Sequence, residues 1–361
     1  MSLKINHAIL HVFDFVSCVN VFAQEELDLS NKSAKNFVAR HVRKAAGNLD
    51  NMHGSFSDGS MFAEELSRYF RGERDFTDLS CQIAEYLATE LGRMEKSVST
   101  DLLVVDFEDE PKKMPADAAE IADGAGETDA PERYGSVSKR CFALLLLESK
   151  QAYMHEVGCG DSGQRNDIVR HYAVLPNPSQ KVASYAIIDL RTLAVEFQDK
   201  KRTIAGEERY LIPEGLLQCS MEASPKEAFS AVTELVEEVA QEYGANVGEA
   251  VAKAKSYASE NARESDDLDL ALLAEDVFED NPQACERFDE AASARELPGH
   301  MPLEREAVRR VAKTHKIRTD TGIEITFPAE YSKTSEYITF TSEADGRISI
   351  QLKNINHIEN R

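Results

Sequence analysis

Two short runs constrain this chain more than any other feature: DLLVVDF (101–107) and CFALLLLES (141–149). Successive side chains of a strand point to opposite faces, so a continuously apolar strand has no face to give to water. Each run therefore predicts a strand buried inside a sheet, with helices flanking that sheet. Between them Glu108–Ser138 is rich in Pro, Ala, Gly, Asp and Glu and nearly free of large apolar residues. It reads as an acidic, flexible insertion, and the two strands can pair across it.

Around this pair the pattern continues. LKINHAILHVFDF reads as a strand, and SNKSAKNFVARHVRKAAGNL as a helix capped by Ser30 or Asn31 and ended at Gly47-Asn48. MFAEELSRYF predicts a helix capped by Ser57 or Asp58, with Met61, Phe62, Leu66, Tyr69 and Phe70 on its apolar positions. In the following RGERDF, Gly72 sits where that helix must turn, and a second helix starts near Phe76 or Asp78 with Leu79, Ile83, Tyr86, Leu87 and Leu91 inward. QAYMHEV, DIVRHYAVLP and KVASYAIIDLRTLAVEF are further strands. Their connections are too short for crossover helices, which predicts an antiparallel meander.

From Pro225 to Lys316 the pattern turns helical, and residues 317–358 return to strands with turns at Thr321-Gly322 and Asp345-Gly346. At 361 residues two cores are expected. The expected class is α+β. An N-terminal domain (1–222) holds a mixed or antiparallel sheet with flanking helices. A C-terminal domain (223–361) holds helices (225–316) and then a small antiparallel sheet.

The net charge of −23 is local: residues 108–132 carry −7 and residues 225–299 carry −13, which leaves −3 for all the rest. A phosphate-binding surface is thus compatible with an acidic protein. No apolar run reaches the ~18 residues of a membrane span, and the start lacks a basic leader, so no membrane contact and a cytoplasmic location are expected. Six cysteines lie far apart without a CxxC pair, as expected of free and mostly buried thiols.

Catalytic motifs are weak. GCGDSG (158–163) matches GxGxxG, but a strand pattern follows it where a dinucleotide site needs a helix. Asp106, Glu148 and Lys150 make a D…ExK set of the kind that holds Mg²⁺ in nucleases, with Glu148 and Lys150 at a strand end. His7 and His11 sit four apart in a strand, and no HExxH or GxSxG is present. The expectation is a protein without enzymatic activity, cofactor or bound metal.

Three basic clusters remain as DNA-binding candidates. The first is Arg40, Arg43 and Lys44, beside His41. The second is Lys200, Lys201 and Arg202, at an expected hairpin tip. The third is REAVRRVAKTHKIR, where Arg305, Arg309, Lys313 and Lys316 form one stripe if the segment is helical.

GSFSDGSMFAEELSRYFRGERDFTDLSCQIAEYLATEL, followed by DLLVVDF and ALLLL, resembles the bacterial nucleoid-associated proteins of the NdpA/YejK family. The segments LKINHAILHVFDF and ISIQLKNINHI lie where that family has comparable ones. The resemblance implies a cytoplasmic protein of the nucleoid that binds double-stranded DNA and is linked to type II topoisomerases. It transfers no catalytic residue. The expected function is sequence-tolerant DNA binding as a homodimer. The alternatives are a protein-binding adaptor using the acidic helical region, and a Mg²⁺-dependent nuclease using Asp106, Glu148 and Lys150.

Overall fold

The two apolar runs lie side by side near the middle of a seven-stranded sheet. The computed structural model describes residues 2–110, 138–160, 163–265, 267–279, 281–295, 297–302, 308, 312–332, 336–342 and 347–357. The chain divides into two compact units, Met1–Glu222 and Ala223–Arg361, and its class is α+β.

In the first unit, β1 (Ser2–Asp14) and β2 (Val19–Val21) are followed by α1 (Lys32–Ala46), β3 (Met52–Gly54), α2 (Met61–Phe70) and α3 (Phe76–Gly92). Then come β4 (Thr100–Glu110), β5 (Lys139–Glu148), β6 (Lys150–Gly160), β7 (Gly163–Val174), β8 (Ser184–Asp189) and β9 (Val195–Gln198). A hairpin of β10 (Lys201–Ile204) and β11 (Glu207–Tyr210) leads into a short π-helical turn, Leu211–Leu217. The sheet order is β2-β1-β4-β5-β8-β9-β3, and every pairing is antiparallel.

Alternation along the two central strands assigns each residue to a cover. Leu102, Val104, Phe142, Leu144 and Leu146 pack with α2 and α3. Their neighbours Leu103, Val105, Ala143, Leu145 and Leu147 pack with Val38, Val42 and Ala45 of α1. The sheet is thus one layer between two helical covers, and the unbroken apolar runs are the direct requirement of that arrangement.

Several boundaries differ from expectation. The α2 cap is Ser60, whose side chain accepts from the Ala63 amide, and not Ser57 or Asp58. Met61 is 78% exposed and Phe70 38%, so the buried stripe of α2 narrows to Leu66 and Tyr69. The insertion begins later than Glu108. β4 continues to Glu110 because Ser2–Lys4 of β1 pair with it, and Asp109 faces Lys139. Residues 111–137 of the expected insertion lie outside the described residues. The meander is also interrupted: β5 pairs with β8, while β6 and β7 pair only with each other as a separate ribbon. The run after Lys181 is two strands, separated by a turn that Asp189 caps through the Arg191 and Thr192 amides. Among the thiols only Cys141 is buried, while Cys18 and Cys159 are exposed.

The RGERDF corner forms a Schellman ending. Gly72 (φ +75°) donates to the Tyr69 carbonyl, and Glu73 to that of Arg68. Asp75 then caps α3 through the Thr77 and Asp78 amides, and Phe76 sinks into the core against Tyr69 and Phe142. Arg71 pairs with Glu73, and Arg74 with Glu65.

The second unit starts with α4 (Pro225–Glu242), opened by a capping box between Ser224 and Glu227. It continues with α5 (Val247–Asn261), β12 (Asp267–Asp269), α6 (Leu270–Val277), α7 (Pro282–Ala294) and β13 (His300–Pro302). The apolar faces of the four helices share one core with Phe229, Leu235, Leu273 and Phe288 at its centre. Two antiparallel ribbons follow, β14 (Thr314–Arg318) with β15 (Glu324–Pro328) and β16 (Ile338–Ser342) with β17 (Ile348–Leu352). The helical reading through Lys316 is therefore corrected. THKIR buries His315, half-buries Ile317 and exposes the residues between, a two-residue period that belongs to a strand.

Candidate nucleic-acid interface

Helix α1 is built from opposite demands on its two sides. Asn31 caps it by accepting from the Ser33 amide, and Val38, His41, Val42 and Ala45 point into the sheet. Every charged residue in the helix is a cation: Lys32, Lys35, Arg40, Arg43 and Lys44. No other α-helix among the described residues has that property. Arg43 and Lys44 fall in the last turn, where exposed carbonyls favour positive charge.

At ~100° per residue, Lys32, Lys35, Arg40 and Arg43 occupy an arc of roughly 140°. The stripe is about 16 Å long at ~1.5 Å per residue. All four residues are exposed. Among the described residues none of them has an acidic partner or a side-chain hydrogen bond. Lys44 differs: its ammonium donates to the Ser179 carbonyl, 2.5 Å away. His41 is buried beneath the stripe. Its Nε2–H donates to the Pro176 carbonyl at 3.3 Å, and Phe37 meets its ring edge-on. Burial holds its pKa down, and Lys44 and Arg40 push the same way. The imidazole is thus a neutral floor under a cationic surface.

The second cluster is organised differently. The hairpin tip is Ala205-Gly206, and Lys200, Lys201 and Arg202 lie at its base. Arg202 is 5% exposed, with Asp199 at 2.6 Å and Ser184 Oγ at 2.7 Å. Lys200 pairs with Glu148 at 2.6 Å, and the Lys201 ammonium stands over the Tyr210 ring. These cations hold the hairpin to the sheet.

The third cluster does not form the expected helical stripe. Arg305 and Arg309 lie outside the described residues. Lys313 is exposed at a bend, and Lys316 is on β14 paired with Glu324 at 2.7 Å. Sequence reasoning passed over Lys32 and Lys35. Their signal was the absence of any acid across the whole of α1.

The three nuclease candidates are apart. Asp106 is fully buried, and Arg140, Tyr69 and Asn6 all donate to it. It lies opposite Phe142 on β5, and Glu148 is six positions further along that strand, about 20 Å away at ~3.3 Å per residue. Glu148 is engaged by Lys200, and Lys150 is exposed on β6. His7 and His11 share a face of β1. His7 stacks on Phe76, while His11 is buried and accepts from the Ala23 amide. Of the GxGxxG stretch, Gly160 pairs with Gly163 across the end of the β6–β7 ribbon, and Asp161 and Ser162 lie outside the described residues. Among the described residues no three His, Cys, Asp or Glu side chains group as a metal site, and no helix is long and apolar enough to cross a membrane.

The family described as nucleoid-associated protein YejK matches residues 9–359 of the chain. No curated protein matches it.

Proposed function

We propose a DNA-binding role from one premise: the chain belongs to the nucleoid-associated protein YejK family, whose match runs through nearly its full length. That membership gives the chain a nucleoid-associated role. The finer reading is that it grips double-stranded DNA through phosphates, without reading sequence, and that α1 is the gripping element. One observation carries this reading. Lys32, Lys35, Arg40 and Arg43 form an exposed, unpaired cationic stripe on a protein of net charge −23. Duplex DNA carries one charge per ~1.7 Å of axis, so a straight stripe of this length can follow several phosphates. The cations of the other described clusters are mostly committed to acids or rings of the protein itself.

The reading is of a binding protein and not a nuclease, and the burial of Asp106 and its pairing with Arg140 support it. A homodimer belongs to the same proposal, and the β6–β7 ribbon supports it. Tyr153, Met154, Val157 and Ile168 are each more than half exposed on this ribbon. A two-stranded ribbon is marginal by itself and offers two open edges, which a second copy can extend symmetrically. A type II topoisomerase, which the family resemblance implies, is the proposed protein partner, and the acidic surface of α4–α7 suits a basic protein face. The location that follows is the cytoplasmic nucleoid. A mobility-shift titration of duplex DNA against salt, with and without Mg²⁺, tests the central reading. Binding without cleavage and with a steep salt slope is expected, and Mg²⁺-dependent cutting overturns it.

A further inference from the structure

Two strands of the second unit face one cleft with their hydrogen-bonding edges open. The cleft has a volume of about 780 Å³ and lies between β14 and the β16–β17 ribbon. Six consecutive residues, His315 to Asp320, line it, so β14 meets it along its edge and not with one face. Arg347, Ile348 and Ile350 line the other side. Among the described residues β14 pairs only with β15, and β17 only with β16.

The phase of the ladders shows which backbone groups are left over. Every second pair of an antiparallel ladder exchanges both its bonds, and the residues between turn N–H and C=O outward. The Ala329 amide donates to the Lys313 carbonyl at 3.0 Å, and the Thr319 amide to that of Ile323 at 2.9 Å. With Ile317 opposite Ile325, this phase turns the backbone of Lys316 and Arg318 away from β15. The Lys353 amide donates to the Tyr337 carbonyl at 2.8 Å, so in β17 the outward groups belong to Ile348, Ile350 and Leu352. Open edges of this kind are templates for a further strand, and proteins ordinarily blunt them.

The side chains around the cleft sort by face. On the inner face Ile317, Phe340 and Ile350 pack with Phe327 and Ile338 in one small core. Both ribbons reach the first turn of α5, where a Cβ on Gly248 would lie 3.6 Å from the Phe340 ring and 3.9 Å from Ile317. The floor between the two edges is therefore apolar. The outer face of β14 is basic, with Lys316 and Arg318 exposed on it. Arg347 adds a third cation to the lining, against the carboxylates of Glu237 and Asp320. Glu324 holds Lys316 at 2.7 Å, while Arg318 has no acidic partner among the described residues.

We propose that the cleft docks an extended peptide of a partner protein, which adds as a strand between β14 and β17. Its backbone bonds the outward groups of Lys316 and Arg318 on one side and of Ile348 and Ile350 on the other. Apolar side chains at alternate positions turn onto Ile317, Phe340 and Ile350. The side chains between them turn outward, and an acid among them meets Arg318. Both flanking strands are five residues long, so the docked segment is of similar length, ~17 Å.

The probe is a fluorescein-labelled peptide, Gly-Val-Glu-Ile-Glu-Val-Gly, titrated against the intact protein by fluorescence polarisation. It is expected to bind. A copy with lysine for both glutamates, and one N-methylated at alternate residues, should each bind about tenfold more weakly or worse. Arg318→Glu is expected to erase the preference for glutamate over lysine. Ile348→Pro removes one outward donor at the first residue of β17, a position where proline is tolerated. It should weaken the glutamate peptide about tenfold at unchanged melting temperature, while Ile348→Val, which keeps the donor, should not. Hydrogen exchange reads the geometry: the peptide should slow the amides of Lys316, Arg318, Ile348 and Ile350 and hardly affect Ile317, which already bonds β15. No polarisation change at millimolar protein, or equal binding of the N-methylated copy, overturns the proposal. Slowing of the same amides by raised protein concentration alone gives the edges to a second copy and overturns it as well.

Discussion

Arg140 closes over the carboxylate of Asp106 with two nitrogens, Nε at 3.0 Å and Nη2 at 2.6 Å from Oδ2. Asp106 is completely buried on β4, and Arg140 reaches it from the next strand. The Tyr69 hydroxyl donates to the same oxygen from α2 at 2.5 Å. Burial raises the Tyr69 pKa and the hydrogen bond to Asp106 raises it further, so it stays a protonated donor. The result is a polar tie between sheet and helical cover, set beside apolar side chains.

Removing one partner leaves a buried charge without compensation. Arg140→Ala is expected to cost about 3 kcal/mol, the low end for a broken buried pair because Arg140 is one-third open to solvent. Converting both residues together, as Asp106→Leu with Arg140→Met, should recover most of that loss. Urea unfolding of the single and double variants measures both numbers.

The α1 stripe makes a numerical prediction about salt. The slope of log affinity against log salt is about −0.9 per phosphate contact. Replacing Lys32, Lys35, Arg40 and Arg43 together by Ala should flatten it by up to about 3.6. The loss should be similar for unrelated sequences. Melting temperature should hardly move, since all four side chains are exposed and unpaired. An unchanged slope removes α1 from the interface.

Asp101 gives a pH signature. It is 7% exposed, and burial first, then the neighbouring Asp14, raise its pKa to about 6, while hydrogen bonds from Ser17 and Ser99 hold Asp14 at about 2. A carboxyl whose folded pKa is raised favours the fold while protonated. That contribution is complete below the unfolded value near 3.8 and is lost as pH rises through about 6. Asp101→Asn is therefore expected to stabilise the protein at pH 7.5, by at most about 3 kcal/mol at ~1.36 kcal/mol per pK unit. Little gain is expected at pH 4. Chemical denaturation at the two pH values checks the sign.

At the helical corner, Gly72→Ala should cost about 1 kcal/mol from the positive φ alone, because a Cβ there meets nothing within 4 Å. Phe76→Ala should cost roughly 3–5 kcal/mol, since it empties a site ringed by Tyr69, Phe142 and His7. Thermal unfolding of both variants would show the corner to be merely peripheral if Phe76→Ala melts like the parent.

The β6–β7 ribbon can be tested by charge. Ile168→Lys, at a side chain 79% exposed, should leave the melting temperature unchanged. If a second copy covers the ribbon, light scattering should show the variant shifted toward monomer. A parent protein that is already monomeric at micromolar concentration ends the dimer reading.

The sheet was legible because its information is local. Leu102 to Val105 are apolar without interruption, and only a doubly covered strand tolerates that. Gly72 was legible for a similar reason, since few residues take its φ cheaply. Lys316 and His315 were misread because REAVRRVAKTHKIR fits a helical period by composition, and burial against Phe327 is not visible in the string. Arg202 carried no local sign of its fate. Its burial depends on Asp199 and Ser184, and Ser184 arrives from another strand.

The run of exposed cations on α1, with no acid in the helix, has a kinetic meaning for the proposed DNA binding. A uniformly basic protein can land on a polyanion in almost any attitude and must then roll to find its fit. If α1 is the DNA-binding element, long-range attraction favours the attitudes of approach that lead with Lys32–Arg43. The first collision is then already close to the final pose.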